Sequence, residues 1–145
     1  MNISINLEKI RQAALAGDVM TAEDPWFFVM IKNQEIMQET ALLADVEDMC
    51  AELLVVCFAS MDVKQSVLDT TLAMSRMMQV VKEMGMQARL ERWLSRVFED
   101  PAYSELAGAM GVPEGYYCIG GFTVLKDERE KEIVKHREDV FAVIV

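Results

Sequence analysis

The feature that most restricts the fold is the run Leu53-Leu54-Val55-Val56-Cys57-Phe58-Ala59, apolar at every position. Branched and aromatic residues in succession favour an extended strand, and the lack of alternation means that both faces turn away from water. Such a strand is covered on both faces, and with the helical and extended segments around it the chain is read as an α+β domain. At 145 residues the chain has room for one core of this kind, so residues 1–145 are read as a single domain. No internal repeat and no low-complexity segment interrupts it.

The rest of the pattern supplies the flanking elements. Leu7, Ile10, Ala14 and Leu15 recur at helical spacing, which predicts an amphipathic helix over 6–16 that stops at Gly17. Trp26-Phe27-Phe28-Val29-Met30-Ile31 reads as a buried strand. Residues 34–44 read as a second helix, with Ile36, Met37, Ala41 and Leu42 inward. Asp62 and Gln65 have capping-box spacing, so a long helix is expected to start there and run to about Met84. Its apolar positions, from Val63 through Val67, Leu68, Leu72 and Met77 to Val81, cover more than one stripe. One side of such a helix meets the sheet, and the other suggests a subunit interface. Gly85 ends it; residues 90–98 read as a helix, Asp100-Pro101 as the start of another, and Tyr116 to Leu125 as a strand. Gly120-Gly121 inside that strand implies a bulge or a close backbone approach. Val140-Phe141-Ala142-Val143-Ile144-Val145 reads as a last strand, since six apolar residues left unpaired are an aggregation hazard.

Charge and cysteine usage exclude several functions. A net charge of −10 argues against nucleic-acid binding, which needs a basic stripe along the phosphates. No stretch approaches the ~20 apolar residues of a membrane span, and residues 1–17 lack the uninterrupted apolar core of a secretion signal. Cys50, Cys57 and Cys118 are odd in number and lack C-x-x-C spacing, so a reduced, cytoplasmic setting is expected. His136 is the only histidine, which leaves a histidine triad or metal site little to build on, and no catalytic residue or metal ligand is assigned.

Taken in order, several blocks resemble the flavin-dependent nitroreductase family. They are Ala13-Ala14 through Pro25-Trp26 and the strand after it, the strand and long helix from Leu53, the turn Glu83-Met84-Gly85-Met86, the turn Gly111-Val112-Pro113-Glu114-Gly115-Tyr116, the strand end Ile119-Gly120-Gly121-Phe122, and the tail Lys135-His136-Arg137. The resemblance spans about Leu7 to Val145. It implies a nitroreductase-like fold, a mostly antiparallel sheet between helices, and a homodimer formed around the long helix, with the strand at about 140–145 exchanged between partners. It further implies FMN at the dimer interface, passing hydride from NAD(P)H to a small nitro, quinone or similar acceptor.

The resemblance is incomplete at the flavin. The family's opening Arg-rich segment has no counterpart, and Arg11, the nearest cation, lies within a helix pattern. Ala22 and Asp24 stand where the family has a flavin-binding Asn and Gln. The segment from Gln87 to Trp93 lacks the family's Pro and Gly, leaving Arg89, Arg92 and Arg96 as conceivable substitutes for the missing cations. Lys135 and Arg137 match the family's phosphate-binding tail, and two cations two residues apart can clamp a phosphate. The other reading of that pair is solvated charge among Glu132, Glu138 and Asp139. Trp26 either flanks a flavin ring or fills the core. Two functions stay open: an FMN-dependent oxidoreductase with a degenerate flavin site, or a non-catalytic dimeric module of the same fold that has lost FMN and binds another ligand or protein.

Overall fold

The computed structural model describes residues 5–17, 24–47, 49–126, 137 and 139–144. In chain order its elements are helix α1 (Leu7–Leu15), strand β1 (Trp26–Ile31), α2 (Gln34–Leu42), β2 (Leu53–Ser60), α3 (Ser66–Glu83), β3 (Gln87–Leu90), α4 (Trp93–Glu99), a 3-10 turn (Pro101–Tyr103), α5 (Ser104–Ala109) and β4 (Tyr116–Leu125). The four strands among the described residues form one sheet in the order β1-β2-β4-β3, antiparallel throughout.

The apolar run becomes β2, and all eight of its residues are buried. Successive side chains alternate between two cores, as the pleat demands. Leu53, Val55 and Cys57 join Ile10, Ala14, Ala73, Met77 and Val81 beneath α1 and α3. Leu54, Val56 and Phe58 join Met37, Ala41 and Leu94 beneath α2 and α4. Burying a side chain of this size contributes roughly 1.5–3 kcal/mol, so a central strand filling two cores is a large part of what holds the fold. Cys57 lies in the first core and Cys118 in the second, so the sheet separates the two thiols.

The expected irregularity at Gly120-Gly121 is present. The β2–β4 register shifts between Cys57 and Phe58, which pair with Gly120 and Cys118 respectively. Gly120 takes φ of 137°, open to glycine and strained for other residues. At Gly121 an added Cβ would run into the carbonyl oxygen of Val55 and, at 2.7 Å, the Leu94 side chain. The missing side chain thus lets two backbones and α4 close on one point.

Three expectations need correction. First, α3 starts at Ser66 rather than Asp62. The Asp62 N–H donates to Ser60 Oγ at 3.3 Å, and the Ser66 hydroxyl donates to the Ser60 carbonyl at 2.6 Å, so a turn takes up the residues of the supposed capping box. Gln65, at φ 67°, is the N-cap and makes no side-chain cap. Second, α2 turns Met37, Thr40 and Ala41 inward and leaves Ile36 and Leu42 exposed. The buried Thr40 hydroxyl is accommodated because it donates to the Ile36 carbonyl at 2.8 Å. Third, residues 87–90 form β3 against Phe122 to Leu125, and the helix begins only at Trp93. Four residues are too few for alternation to stand out, and Leu90 falls in step with the helical spacing of Trp93, Leu94 and Val97.

Residues 140–144, expected to pair with a partner copy, form no strand within the single chain. Val140, Phe141, Val143 and Ile144 are 66%, 84%, 84% and 98% exposed. The sheet's outer strands, β1 and β3, gain no pairing from them among the described residues. On α3, Ala73, Met74, Met77 and Val81 face the sheet, while Val67, Leu68 and Leu72 stay 44%, 55% and 49% exposed on the other side. The helix is apolar on two sides, as its sequence pattern requires, and one of them is open. Gly85, at φ 79°, then closes α3, with the Met86 N–H returning to the Val81 carbonyl at 3.2 Å.

Gly121→Ala is expected to cost about 3 kcal/mol, since the clash is with backbone on one side and a core leucine on the other. Urea unfolding of the variant measures this, and a loss under ~1 kcal/mol shows that the close approach is not needed.

Candidate functional site

Trp26 stands at the start of β1, where three hydrogen bonds fix the incoming chain. The Ser60 N–H donates to the Pro25 carbonyl at 2.9 Å, the Thr70 hydroxyl reaches the same oxygen at 3.5 Å, and the Tyr116 hydroxyl donates to the Asp24 carbonyl at 3.1 Å. Because β1 is an outer strand, Trp26, Phe28 and Met30 are only half-buried. They pack on the margin of the first core and also line an open groove of about 470 Å3 between β1, α1 and α3. Trp26 therefore packs on the margin of the core and also walls a cleft.

The groove has an aromatic wall, with the Trp26 and Phe28 rings 5.9 Å apart and tilted by 34°. Ala14, Leu15 and Met77 add apolar surface, and Arg11 and Asp24 are its charged residues. Its size and lining suit a small, flat, largely apolar molecule. The Arg11 guanidinium also meets Glu8 at 3.2 Å, an exposed pair along α1.

The expected phosphate clamp takes a different form. Lys135, His136 and Ala22 lie outside the described residues. Arg137 is described, and one edge of its guanidinium is engaged by Asp139: Nε donates to Oδ1 at 2.9 Å and Nη2 to Oδ2 at 2.6 Å. This pairing holds the Asp139 carboxyl below the usual carboxylate range and the Arg137 guanidinium above its own. Both groups are solvent-exposed, so the pair adds little stability. The fork geometry that suits a phosphate is present, but a neighbouring carboxylate occupies it.

The other arginines do not replace the missing cations at the groove. Arg89 donates from Nε to Glu91 at 2.8 Å, Arg92 is the N-cap of α4, and Arg96 lines a different cavity beside Asp45. Arg76 was not singled out from sequence. It donates from Nε to the Ala13 carbonyl at 3.0 Å and from Nη2 to the Ala14 carbonyl at 2.8 Å, satisfying the end of α1 with a cation where the helix dipole favours one.

Glu91 was also missed. It is buried where β3 passes into α4 and accepts from Arg89 Nε at 2.8 Å, Trp93 Nε1 at 2.7 Å and Thr123 Oγ1 at 2.9 Å. Its own N–H donates to the Gly121 carbonyl at 2.8 Å. Nothing in the spacing of Glu91-Arg92-Trp93 separates this carboxylate from the chain's many solvated ones; only its partner on β4 does. It fastens the segment that stands where the family has Pro and Gly. No set of three His, Cys, Asp or Glu side chains among the described residues is arranged to hold a metal, and no described helix is long and apolar enough to cross a membrane.

The chemistry of the donor set is therefore divided with respect to FMN. The aromatic groove fits a planar ring. The anion clamp does not fit as it stands, with Arg137 committed to Asp139 and the Asp24 carboxylate at the groove.

No protein-family model matches the chain, and no curated protein matches it. Solved structures do. A nitroreductase with bound FMN from Bacteroides fragilis is 19% identical with a TM-score of 0.76, over 96% of this chain and 86% of that one. A nitroreductase with bound FMN from Desulfitobacterium hafniense is 18% identical with a TM-score of 0.79, over the same shares of 96% and 86%. The NADPH:FMN oxidoreductase of Vibrio harveyi, complexed with NAD+, is 16% identical with a TM-score of 0.72, over 95% of this chain and 69% of that one. The chain has the nitroreductase fold.

Glu91→Ala is expected to destabilise the protein by about 2–3 kcal/mol, because it leaves the Thr123 hydroxyl and the Trp93 N–H without their acceptor. Thermal unfolding checks this; Glu91→Gln, which keeps an acceptor oxygen, should lose less.

Proposed function

We propose that this chain acts as a homodimeric flavin oxidoreductase of the nitroreductase kind, with Trp26 and Phe28 providing the wall against which a flavin ring lies. The observation that carries this reading is the aromatic groove at the head of β1, on a fold shared with nitroreductases that bind FMN. FMN, when bound, supplies hydride transfer between NAD(P)H and a small nitro, quinone or similar acceptor; the protein's share is to bind, orient and exclude water. Trp26, Phe28 and Met30 provide the dry surface. Arg137, released from Asp139 and joined by Lys135, provides the cations for the phosphate.

The dimer follows from exposed apolar surface. Val67, Leu68 and Leu72 on α3 are covered by the same helix of a second copy, and residues 140–145 cross to that copy and extend its sheet. Burying both removes two apolar liabilities of the single chain. The setting proposed is the cytoplasm, where Cys50, Cys57 and Cys118 stay reduced.

A second reading is a dimeric module of this fold that has lost FMN and binds another ligand or a protein. Two observations favour it: Asp24 in the lining of the groove and the engagement of the Nε–Nη2 edge of Arg137 by Asp139. The visible spectrum of the purified protein, recorded as isolated and after adding FMN, decides between them. The oxidoreductase reading expects bound flavin absorbance, and the Lys135→Ala, Arg137→Ala double variant should weaken FMN binding by about tenfold or more. Lack of flavin absorbance together with no uptake of added FMN eliminates the oxidoreductase.

A further inference from the structure

Arg137 and Asp139 meet edge to edge, Nε on Oδ1 at 2.9 Å and Nη2 on Oδ2 at 2.6 Å. Two parallel N–H···O bonds are how a guanidinium takes up either a carboxylate or a phosphate. The two Asp139 oxygens therefore stand where two phosphate oxygens would stand, on the same edge of the same fork. The pairing holds the Asp139 carboxyl below the usual carboxylate range, so the competing charge is present at neutral pH.

The contact is well formed but easily exchanged. The two side chains are 78% and 67% exposed, and neither residue lies in a helix or a strand. An exposed pair of this kind gains little over its two solvated partners. A phosphate carries more charge than a carboxylate and offers the fork the same two acceptors. It can displace Asp139, but it has to do so before it gains anything from Arg137.

We propose that Asp139 is an internal competitor for the flavin phosphate: it occupies the Arg137 fork while the tail is empty and leaves for solvent when FMN binds. This rests on the flavin reading above and adds to it a check on the phosphate contact. Affinity for FMN is held below what the same tail gives without Asp139. Riboflavin, which has the ring and no phosphate, is indifferent to the competition.

Titration of the full chain with FMN and with riboflavin, followed by quenching of flavin fluorescence, tests the proposal. The proteins compared are the parent, Asp139→Asn, Arg137→Ala, and the two substitutions together. Asparagine keeps the shape of the side chain and removes its charge. Asp139→Asn should tighten FMN by about threefold, the scale of an exposed ion pair, and leave riboflavin unchanged. With alanine at 137 the same substitution should change neither ligand, because the fork that it frees is gone. The competition is overturned if Asp139→Asn leaves FMN affinity as it was, if riboflavin tightens equally, or if the gain persists without Arg137. In those three cases FMN still binds and the flavin reading stands. If neither flavin binds any of the four proteins, the competition and the flavin reading fall together.

Discussion

Strand β4 can lie where it does only because Gly121 lets its backbone close on the Val55 carbonyl. That approach places Leu94 over the second face of the sheet and presents the Gly121 carbonyl to the Glu91 N–H, at 2.8 Å. From it the rest of the molecule follows in sequence. β4 supports β3, Thr123 supplies one of the three donors to the Glu91 carboxylate, and Glu91 turns the chain into α4. A side chain at position 121 disturbs all of these at once, which is why a bulge beside two glycines belongs to the architecture and is no local irregularity.

The fold was legible in the sequence where burial is one-dimensional. Leu53 to Ala59, apolar throughout, could only be a strand between two layers, and Gly85 could only stop a helix. Legibility failed where a residue's role is set by a partner far away in the chain. β3 is four residues long, and only its pairing with Phe122 to Leu125 makes it a strand. Glu91 reads as one more surface carboxylate until Thr123, 32 positions away, is seen to donate to it. Asp62 and Gln65 have capping-box spacing, yet Ser60 and Ser66 close a turn first, a contest between two local hydrogen-bond patterns that spacing does not rank.

The candidate site was half legible. Trp26 lines the groove as well as the core margin, because an outer strand exposes what a central strand would bury. Arg137 was recognised as a phosphate-type residue, and its fork is indeed laid out for an oxyanion, but Asp139 is the oxyanion it holds. Whether a cation two residues from a carboxylate is committed to it depends on geometry, which composition does not contain. The consequence for function is specific: any phosphate at the tail competes with a carboxylate already in place.

The remaining constraint is apolar surface that one chain cannot bury by itself. α3 leaves Val67, Leu68 and Leu72 open, and beyond Arg137 the chain presents Val140, Phe141, Val143 and Ile144 to solvent. These are the surfaces that the proposed second copy covers, and the flavin reading relies on that second copy. Light-scattering mass measurement at micromolar concentration tests this most directly, on the full chain and on a chain ending at Asp139. The account predicts a species of twice the 16.4 kDa chain mass for the full protein and a shift toward monomer when residues 140–145 are removed. A stable monomer for the full chain would contradict it.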